Sequence, residues 1–494
     1  MPQQTVEVPF GEWKPDAPER TAGATEAKGV ISAEGAYRPI PNVSATTSAS
    51  LNLRGQGGAA FYNAEGNVKI FAGTKTKLYE LESSSFTDRS GATYACPSDA
   101  IWQFAQYGQK ILAINPVDNI QVYDMDSPST FSDLGGSPPK GKVGARVGDF
   151  FVVGDIQASP ISPSRVQWCA IGDILTWATT ATNQADAQNL TEDAGRVKAI
   201  FNVFESGIIF QERAITRMTY VGPPTIFEFT LIERSQGSFV GPHGMVTHGS
   251  QIFYISDDGF YVWDGNRSVP ISDNTIWRYF VSDLNYAYRH NIFAAFDYEN
   301  RAVWWAYPSG SSLVPDSLII FSIKDNRWTH DDGFSLEMLF SMPKNGLTLE
   351  ELDTVSASID SLPQSLDSAV YKSSSIKLGG TNTSHQLVEF SGTNREAILE
   401  TAEFQPEPGI RSFISEVWPI VDDASAAVTA QIAMRPQRIG DTLAYSTASQ
   451  RGSSGFCPVR ASGRFGRARI TIPAGEQWTH AEGVQVKFRA EGKR

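Results

Sequence analysis

Short apolar runs recur along this chain in pairs, and this repetition constrains the fold more than any other feature. Each pair consists of a nearly all-apolar run, a turn, and a second run that carries an aromatic residue. The six pairs are 68–72 with 77–81, 110–114 with 120–124, 149–153 with 166–170, 207–211 with 215–220, 251–255 with 260–264, and 302–306 with 318–322. Runs of this length between turns predict β-strands.

The pairs begin roughly every 40 to 55 residues, which is the period of a four-stranded propeller blade. The first run of each pair suits a strand covered on both faces, and the more alternating second run suits a strand with one wetter face. The 42 Gly and 27 Pro are spread along the chain, as short strands and turns require. We therefore predict an all-β fold, a β-propeller of about six blades. A β-sandwich or a β-helix is the alternative.

Changes in composition and in the pattern of apolar and polar residues divide the 494 residues into four regions. Residues 1–47 are interpreted as an N-terminal extended arm and residues 48–340 as the main body of the propeller, with a strand near 48–53 as a candidate to close the last blade. Residues 341–396 are interpreted as a helical insertion, a Ser-rich loop and closing propeller strands. Residues 397–494 are interpreted as a small C-terminal β domain, because apolar and polar residues alternate at 428–433 and 467–472.

The insertion contains the one segment with helical character. Thr348 and Glu351 have the spacing of a capping box, and Pro363 would end the helix. Between them, apolar residues recur at spacings of three and four: Leu349, Leu352, Val355, Ile359 and Leu362. Ser, Gly and Asn dominate residues 373–384, which predicts an exposed loop.

The charge and the cysteines exclude several protein classes. A net charge of −13 argues against a broad surface that neutralises nucleic-acid phosphates. Cys96, Cys169 and Cys457 lie far apart, so we expect neither a disulfide framework nor a thiolate metal site. The first 13 residues lack the features of a secretory signal, and no apolar run approaches the roughly 18 residues of a membrane span. We expect a chain that folds in a reducing cytoplasm.

No motif predicts a catalytic, cofactor-binding or metal-binding residue. His243 and His248 lie five apart in a Gly-rich stretch, and we interpret them as loop histidines. Three pairs of adjacent aspartates are interpreted mainly as turn residues: Asp257–Asp258, Asp331–Asp332 and Asp422–Asp423. We therefore expect a protein that is not an enzyme.

Residues 256–263 are close to the Asp-box turn of sialidase propellers, although the glycine stands one place early. We interpret this segment as a hairpin turn in which Gly259 supplies a positive φ, with Asp264–Gly265 as a second turn.

The notable basic cluster comprises Arg460, Arg464, Arg467 and Arg469. Arg467 and Arg469 should share one strand face, which is solvated or faces another subunit; nucleic-acid contact is the alternative.

Four groups of segments together resemble the tail nozzle, or DNA-stabilisation, proteins of short-tailed bacteriophages. The first group lies at 10–16, 27–31 and 35–39, and the second at 256–265. The third lies in the insertion at 348–353, 360–363 and 365–368, and the fourth at 455–456, 462–464 and 472–475. The combination spans nearly the whole chain, although each piece alone is weak.

This resemblance implies a structural virion protein with a propeller fold, no catalytic residues and no cofactor. Such a protein assembles in the host bacterial cytoplasm into a ring, typically a homohexamer, in the virion tail. The ring lies below the head-to-tail adaptor protein, closes the DNA channel after packaging and passes the genomic DNA at ejection; tail fibre, tailspike or needle proteins are further partners. The alternatives are a sialidase-like propeller enzyme, with acids and arginines converging at one end of the axis, and a monomeric propeller scaffold that binds other proteins.

Overall fold

A computed structural model describes residues 3–18, 23–82, 85–180, 182–343, 376–436 and 443–492, together with Ser356, Ser358 and Ser361. Within these residues the regular secondary structure is mainly strand, with 3₁₀ helices at Glu192–Ala194, Pro242–Gly244 and Tyr286–Asn291. It also includes one α-helix, α1 (Trp277–Asp283), which the sequence pattern did not predict. No helix in this part of the chain has the length and apolar character of a membrane span. The helix predicted from Thr348 and Glu351 lies outside the described residues.

Five strands lie in the N-terminal region. They are β1 (Gln4–Pro9), β2 (Ala24–Lys28), β3 (Val30–Ala33), β4 (Ala36–Pro39) and β5 (Pro41–Ser50). β1 and β4 pair with the C-terminal domain, and β3 pairs with β4. β2 lies between a propeller strand and a strand of the C-terminal domain, and β5 pairs with a propeller strand. The region interpreted as an extended arm, residues 1–47, thus contributes strands to both parts of the molecule.

Six four-stranded antiparallel blades follow, each in sequence order. Blade 1 comprises β6 (Gly58–Tyr62), β7 (Val68–Gly73), β8 (Leu78–Glu82) and β9 (Ser85–Asp88). Blade 2 comprises β10 (Gln103–Tyr107), β11 (Lys110–Ile114), β12 (Gln121–Asp124) and β13 (Ser132–Asp133). Blade 3 comprises β14 (Gly141–Val147), β15 (Phe150–Ile156), β16 (Ser162–Trp168) and β17 (Asp186–Asn189). Blade 4 comprises β18 (Val197–Val203), β19 (Ser206–Gln211), β20 (Ala214–Gly222) and β21 (Ile226–Arg234). Blade 5 comprises β22 (Val246–His248), β23 (Gln251–Ser256), β24 (Gly259–Trp263) and β25 (Ser268–Pro270). Blade 6 comprises β26 (Phe293–Asp297), β27 (Ala302–Tyr307), β28 (Ser317–Ser322) and β29 (Arg327–Asp332).

A seventh blade closes the circle. It comprises β30 (Leu336–Pro343), β31 (Ile376–Asn382), β32 (Gln386–Asn394) and the N-terminal strand β5, with Phe390 paired to Val43. The first strands of neighbouring blades adjoin around the axis, and β30 lies beside β6. Between blades 4 and 5 the 3₁₀ helix Pro242–Gly244, which precedes β22, lies beside β18. The all-β propeller fold is therefore confirmed, with seven four-stranded blades in the described part of the chain. The exposed loop predicted at 373–384 is wrong over residues 376–382, because these residues form β31 and the middle of this strand is buried in the seventh blade.

The six sequence pairs lie on the second and third strands of blades 1 to 6. The second strands are covered on both faces, and β15 and β27 are buried at every residue. Burial on both faces removes the alternation that marks a half-exposed strand, which is why these strands are nearly all apolar.

The C-terminal domain adds β33 (Ala397–Thr401), β34 (Arg411–Val421), β35 (Thr429–Arg435), β36 (Ser449–Gln450), β37 (Cys457–Gly463), β38 (Phe465–Ile472) and β39 (Ala481–Gly492). One sheet has the order β3-β4-β39-β34-β37, with β1 also paired to β39. The second has the order β2-β33-β38-β35-β36 and continues blade 6 through β29. Both sheets share a hydrophobic core with blades 5 and 6, so the propeller and this domain are fused rather than linked by an open tether.

Candidate functional site

A cavity of about 880 Å³ lies at the end of the propeller axis where the first strands of the blades begin. Its wall includes the starts of β6, β10, β14 and β18 and the loops that precede β10, β22 and β26. The ends of several blades thus surround one concavity, a position where propeller side chains from distant parts of the sequence meet. A cavity of this volume lies in the size range of small-molecule sites.

The charged side chains of the cavity wall are mostly basic, although the chain has a net charge of −13. The four cations are Lys142, Arg196, Lys198 and Arg289, and the two carboxylates are Asp99 and Asp155. Clefts lined by one sign of charge focus the electrostatic field. The cavity is therefore a place where an acidic protein presents a positive surface.

A β-bulge places one of these carboxylates. The register of β15 with β16 shifts between Gly154 and Ile156, and Asp155 between them has φ +52°. The extra residue of a bulge re-aims a side chain. Asp155 is buried and accepts a hydrogen bond from Gln157 Nε2 (2.6 Å), and Arg196 Nη1 lies 3.7 Å from its Oδ2. Burial raises the pKa of Asp155, and Arg196 opposes that shift.

Lys142 is the cation with the least compensation. It lies half-buried on β14, and no described residue accepts a hydrogen bond from its Nζ or forms an ion pair with it. Burial lowers the pKa of Lys142. The positive charges of Arg196 and Lys198 lower this pKa further, and the negative charge of Asp155 opposes the shift. Lys198 on β18, in contrast, forms an ion pair with Glu212 (3.1 Å).

Another part of the wall carries two histidines and an arginine. The Nε2 of His243 lies 2.9 Å from the carbonyl oxygen of His290, and burial lowers the pKa of His243 to about 4. A neutral His243 donates this hydrogen bond and so ties the loop before β22 to the loop before β26. The guanidinium of Arg289 lies 4.3 Å from the ring centre of Tyr286, a cation–π contact that holds it at the rim.

The two histidines interpreted as loop residues do not meet. His248 stacks on Phe296, with ring centres 4.1 Å apart, whereas His243 packs near Phe293. Throughout the described ranges, no group of three or more His, Cys, Asp or Glu residues is arranged to hold a metal ion. Cys96, Cys169 and Cys457 are buried free thiols, and burial raises their pKa values to about 12, 11 and 11.

The three aspartate pairs have different environments. Asp257 and Asp258 form the exposed turn between β23 and β24. Asp331 and Asp332 instead lie on β29 and point to opposite faces: Asp331 is buried against Arg395 (2.5 Å), and Asp332 pairs with Lys28 (2.6 Å). Asp422 follows β34 and accepts hydrogen bonds from Thr479. None of the pairs lines the central cavity.

The role assigned to Gly259 is wrong. It is the first residue of β24, pairs with Ser256, and does not adopt a positive φ. A Cβ at this position would lie 2.9 Å from the hydroxyl oxygen of Ser272, so the glycine provides room for a close strand contact. Gly265 does adopt a positive φ (+107°), as predicted for the second turn.

Two arginines of the basic cluster bind a carboxylate of their own sheet. Arg467 and Arg469 share one face of β38, as predicted, and both face Glu400 on β33. Arg469 Nη2 lies 2.7 Å and Arg467 Nη1 lies 3.7 Å from its carboxylate oxygens. These cations are therefore neutralised within the C-terminal domain.

The junction, defined as β2 between β29 and β33 with the residues that pack on it, joins the propeller to the C-terminal domain. Lys28 pairs in parallel with His330, and His330 Nε2 is hydrogen-bonded to Glu26. Trp13 is buried and stacks on the His330 ring at 4.5 Å. Asp16 accepts hydrogen bonds from the backbone N–H groups of Arg278 and Tyr279 at the start of α1.

No protein-family model and no curated protein matches this chain. Among solved structures it is similar to BamB from Moraxella catarrhalis, with 10% identity, a TM-score of 0.38, and coverage of 78% of this chain and 97% of BamB. It is also similar to the computationally designed Ika8 protein, with 8% identity, a TM-score of 0.37, and coverage of 70% and 99%. The assignment of the fold rests on the strand topology of the chain itself.

Proposed function

We propose that this chain is a non-enzymatic structural protein of the tail nozzle type, which assembles as a ring, typically a hexamer, in the tail of a short-tailed phage. The ring would close the DNA channel after packaging and pass the DNA at ejection. Its partners would be further copies of itself, an adaptor ring above it and, at the distal side, fibre, tailspike or needle proteins. Six copies of a chain with net charge −13 would repel DNA phosphates from the channel wall.

The observation that carries this proposal is where the family-like segments lie. Residues 10–16, 27–31 and 35–39 all contribute to the junction or to the sheets beside it. Phe260, in the segment 256–265, packs on Trp305 and Trp328 in the core that the junction shares. The third group, at 348–353, 360–363 and 365–368, lies outside the described residues apart from Ser361. Segments of the first and second groups, which are separate in sequence, thus build one contiguous part of the molecule.

Two glycines of these segments illustrate the closeness of the fit. Gly29 has φ +71°, and a Cβ there would lie 2.0 Å from the carbonyl oxygen of Glu396. The backbone N–H of Gly475 donates a hydrogen bond to the carbonyl oxygen of Asn394. The junction therefore holds the propeller and the C-terminal domain together through a shared core and a continuous sheet.

Electron cryo-microscopy of virions that carry this chain tests the proposal. The expected result is six-fold density on the tail axis into which the fused propeller and C-terminal domain fit. Matching virions that encode a Gly29→Ala chain should lose this density, whereas Gly35→Ala virions should keep it. Absence of the protein from the tail axis in unmodified virions would refute the proposal.

A sialidase-like enzyme is the second candidate, because Arg196 and Arg289 line the same cavity as Asp99 and Asp155 at one end of the propeller axis. Hydrolysis of a fluorogenic sialoside by the purified chain decides between the two. We expect no turnover. Activity that Asp155→Asn abolishes would instead favour the enzyme.

A further inference from the structure

The central cavity combines uncompensated positive charge with an apolar wall. Lys142 has no ion-pair partner among the described residues. Arg196 lies 3.7 Å from Asp155, beyond hydrogen-bond distance. A half-buried cation without a partner is unfavourable, because it loses hydration and gains no opposing charge. The wall would therefore gain stability from an anion.

The carboxylates nearby supply only part of that charge. Asp155 accepts a hydrogen bond from Gln157, and burial raises its pKa. Glu212 pairs with Lys198 and does not itself line the cavity. The lining thus presents four cations against two carboxylates.

The rest of the wall is suited to an apolar body. Phe104, Phe201 and Phe239 line the same cavity, together with Val117 and Val240. Small-molecule sites commonly have this composition, with apolar and aromatic walls and a few charged groups that fix orientation. An inorganic ion alone would leave these walls uncovered.

We propose that the central cavity binds an organic anion, whose carboxylate or phosphate group is held by Lys142, Arg196 and Lys198 and whose apolar or aromatic body packs on the phenylalanines. The site is independent of the nozzle function: it would be present in a monomer as well as in a ring. It combines cations from blades 3 and 4 with phenylalanines from blade 2, from blade 4 and from the loop before blade 5, so it exists only when these blades pack side by side around the axis.

Isothermal titration calorimetry of the full chain at pH 7 tests this proposal. The probes are benzoate, phenyl phosphate and the neutral analogue benzyl alcohol, which distinguish a carboxylate, a phosphate and the aromatic body alone. We expect at least one anion to bind, and benzyl alcohol to bind at least about tenfold more weakly. Lys142→Met and Lys198→Met should each weaken the anion about tenfold or more, since each removes a charged hydrogen-bond donor.

Lys110→Met is the matched control. Lys110 is also half-buried, but it begins β11 at the opposite end of the propeller, so its loss should change anion affinity less than twofold. Far-UV circular dichroism shows whether each variant folds; if Lys142→Met does not, Lys198→Met carries the comparison. The proposal is overturned if neither anion binds at millimolar concentration, if benzyl alcohol binds equally well, or if the folded variants bind like the unmodified chain.

Discussion

Glu400 neutralises two arginines inside the second sheet of the C-terminal domain, and we predict that Glu400→Gln loosens that sheet. The side chain of Glu400 is 4% exposed and that of Arg467 is 12% exposed. Arg469 donates from Nε and Nη2 to the Glu400 carboxylate, and Thr25 on β2 donates to its other oxygen (2.7 Å). One carboxylate therefore connects β2, β33 and β38, the three strands nearest the propeller.

The size of the effect follows from burial. The glutamine amide keeps the shape and one acceptor, but the negative charge that faces Arg467 and Arg469 is lost. Breaking a buried ion pair by removing one partner costs about 3–5 kcal/mol. Arg469 is 35% exposed, so water screens part of its charge. We expect a loss of about 3 kcal/mol in local stability, which corresponds to about 100-fold faster amide exchange.

Hydrogen exchange measured by mass spectrometry locates the effect. The amides of β33 and β38 should exchange about 100-fold faster, while those of blades 1 to 4 should be unchanged. Glu299→Gln is the control, because Glu299 is 66% exposed in its pair with Lys377, and such pairs contribute little. Adding Arg467→Met to Glu400→Gln should restore part of the protection, since it removes one of the two cations that face position 400.

The reasoning would be refuted by exchange in β33 and β38 that stays within about threefold of the unmodified chain. That result would mean that water replaces the carboxylate at little cost.

Three further predictions rest on single residues. Gly29→Ala should lower the free energy of unfolding in urea by about 3 kcal/mol or more, because the new Cβ would clash with the carbonyl oxygen of Glu396. Gly35→Ala, at φ +83° with open space around the new Cβ, should cost only about 1–2 kcal/mol. Equal losses for the two variants would contradict this account. Trp13→Ala should cost about 3–5 kcal/mol in the same assay, because the side chain is buried on His330. The pKa of His243 is about 4 in the folded chain, below the ordinary 6.5, so the unfolded chain binds more protons and the free energy of unfolding should fall as the pH drops from 6.5 to 4. The His243→Gln chain should lose ~2–3 kcal/mol less over that range than the unmodified chain. An identical pH profile for the two chains would exclude the mechanism.

Six of the seven blades could be recognised from the sequence because their central strands are covered on both faces. A strand in that position must be apolar at nearly every residue, and this pattern is local. The seventh blade was predicted only in part, as closing strands within 341–396 and a strand near 48–53. It left no complete sequence pair, because β31 contains Gly379, Gly380 and Thr381 and because its outer strand, β5, comes from the other end of the chain. Neither feature leaves a repeat in the sequence.

The function of some residues depended on neighbours that local sequence does not specify. Gly259 resembles a turn glycine, yet it is needed for its closeness to Ser272. Arg467 and Arg469 were correctly predicted to share a face, because side chains alternate along any strand. Their partner Glu400 lies on a strand 64 positions or more away, and only the order of strands in the sheet decided that pairing.

The candidate site shows the same division most clearly. Net charge, the absence of familiar catalytic motifs and the all-β repeat are properties of composition and short-range order, so the sequence alone determined them. The positive cavity required closure of the propeller, which brings Lys142 on β14 beside Arg196 and Lys198 at β18, and a bulge that turns Asp155 toward them. Charges that are spread over more than 50 residues interact only where tertiary packing excludes water and holds them together, and for that reason only the structure could place them in one site.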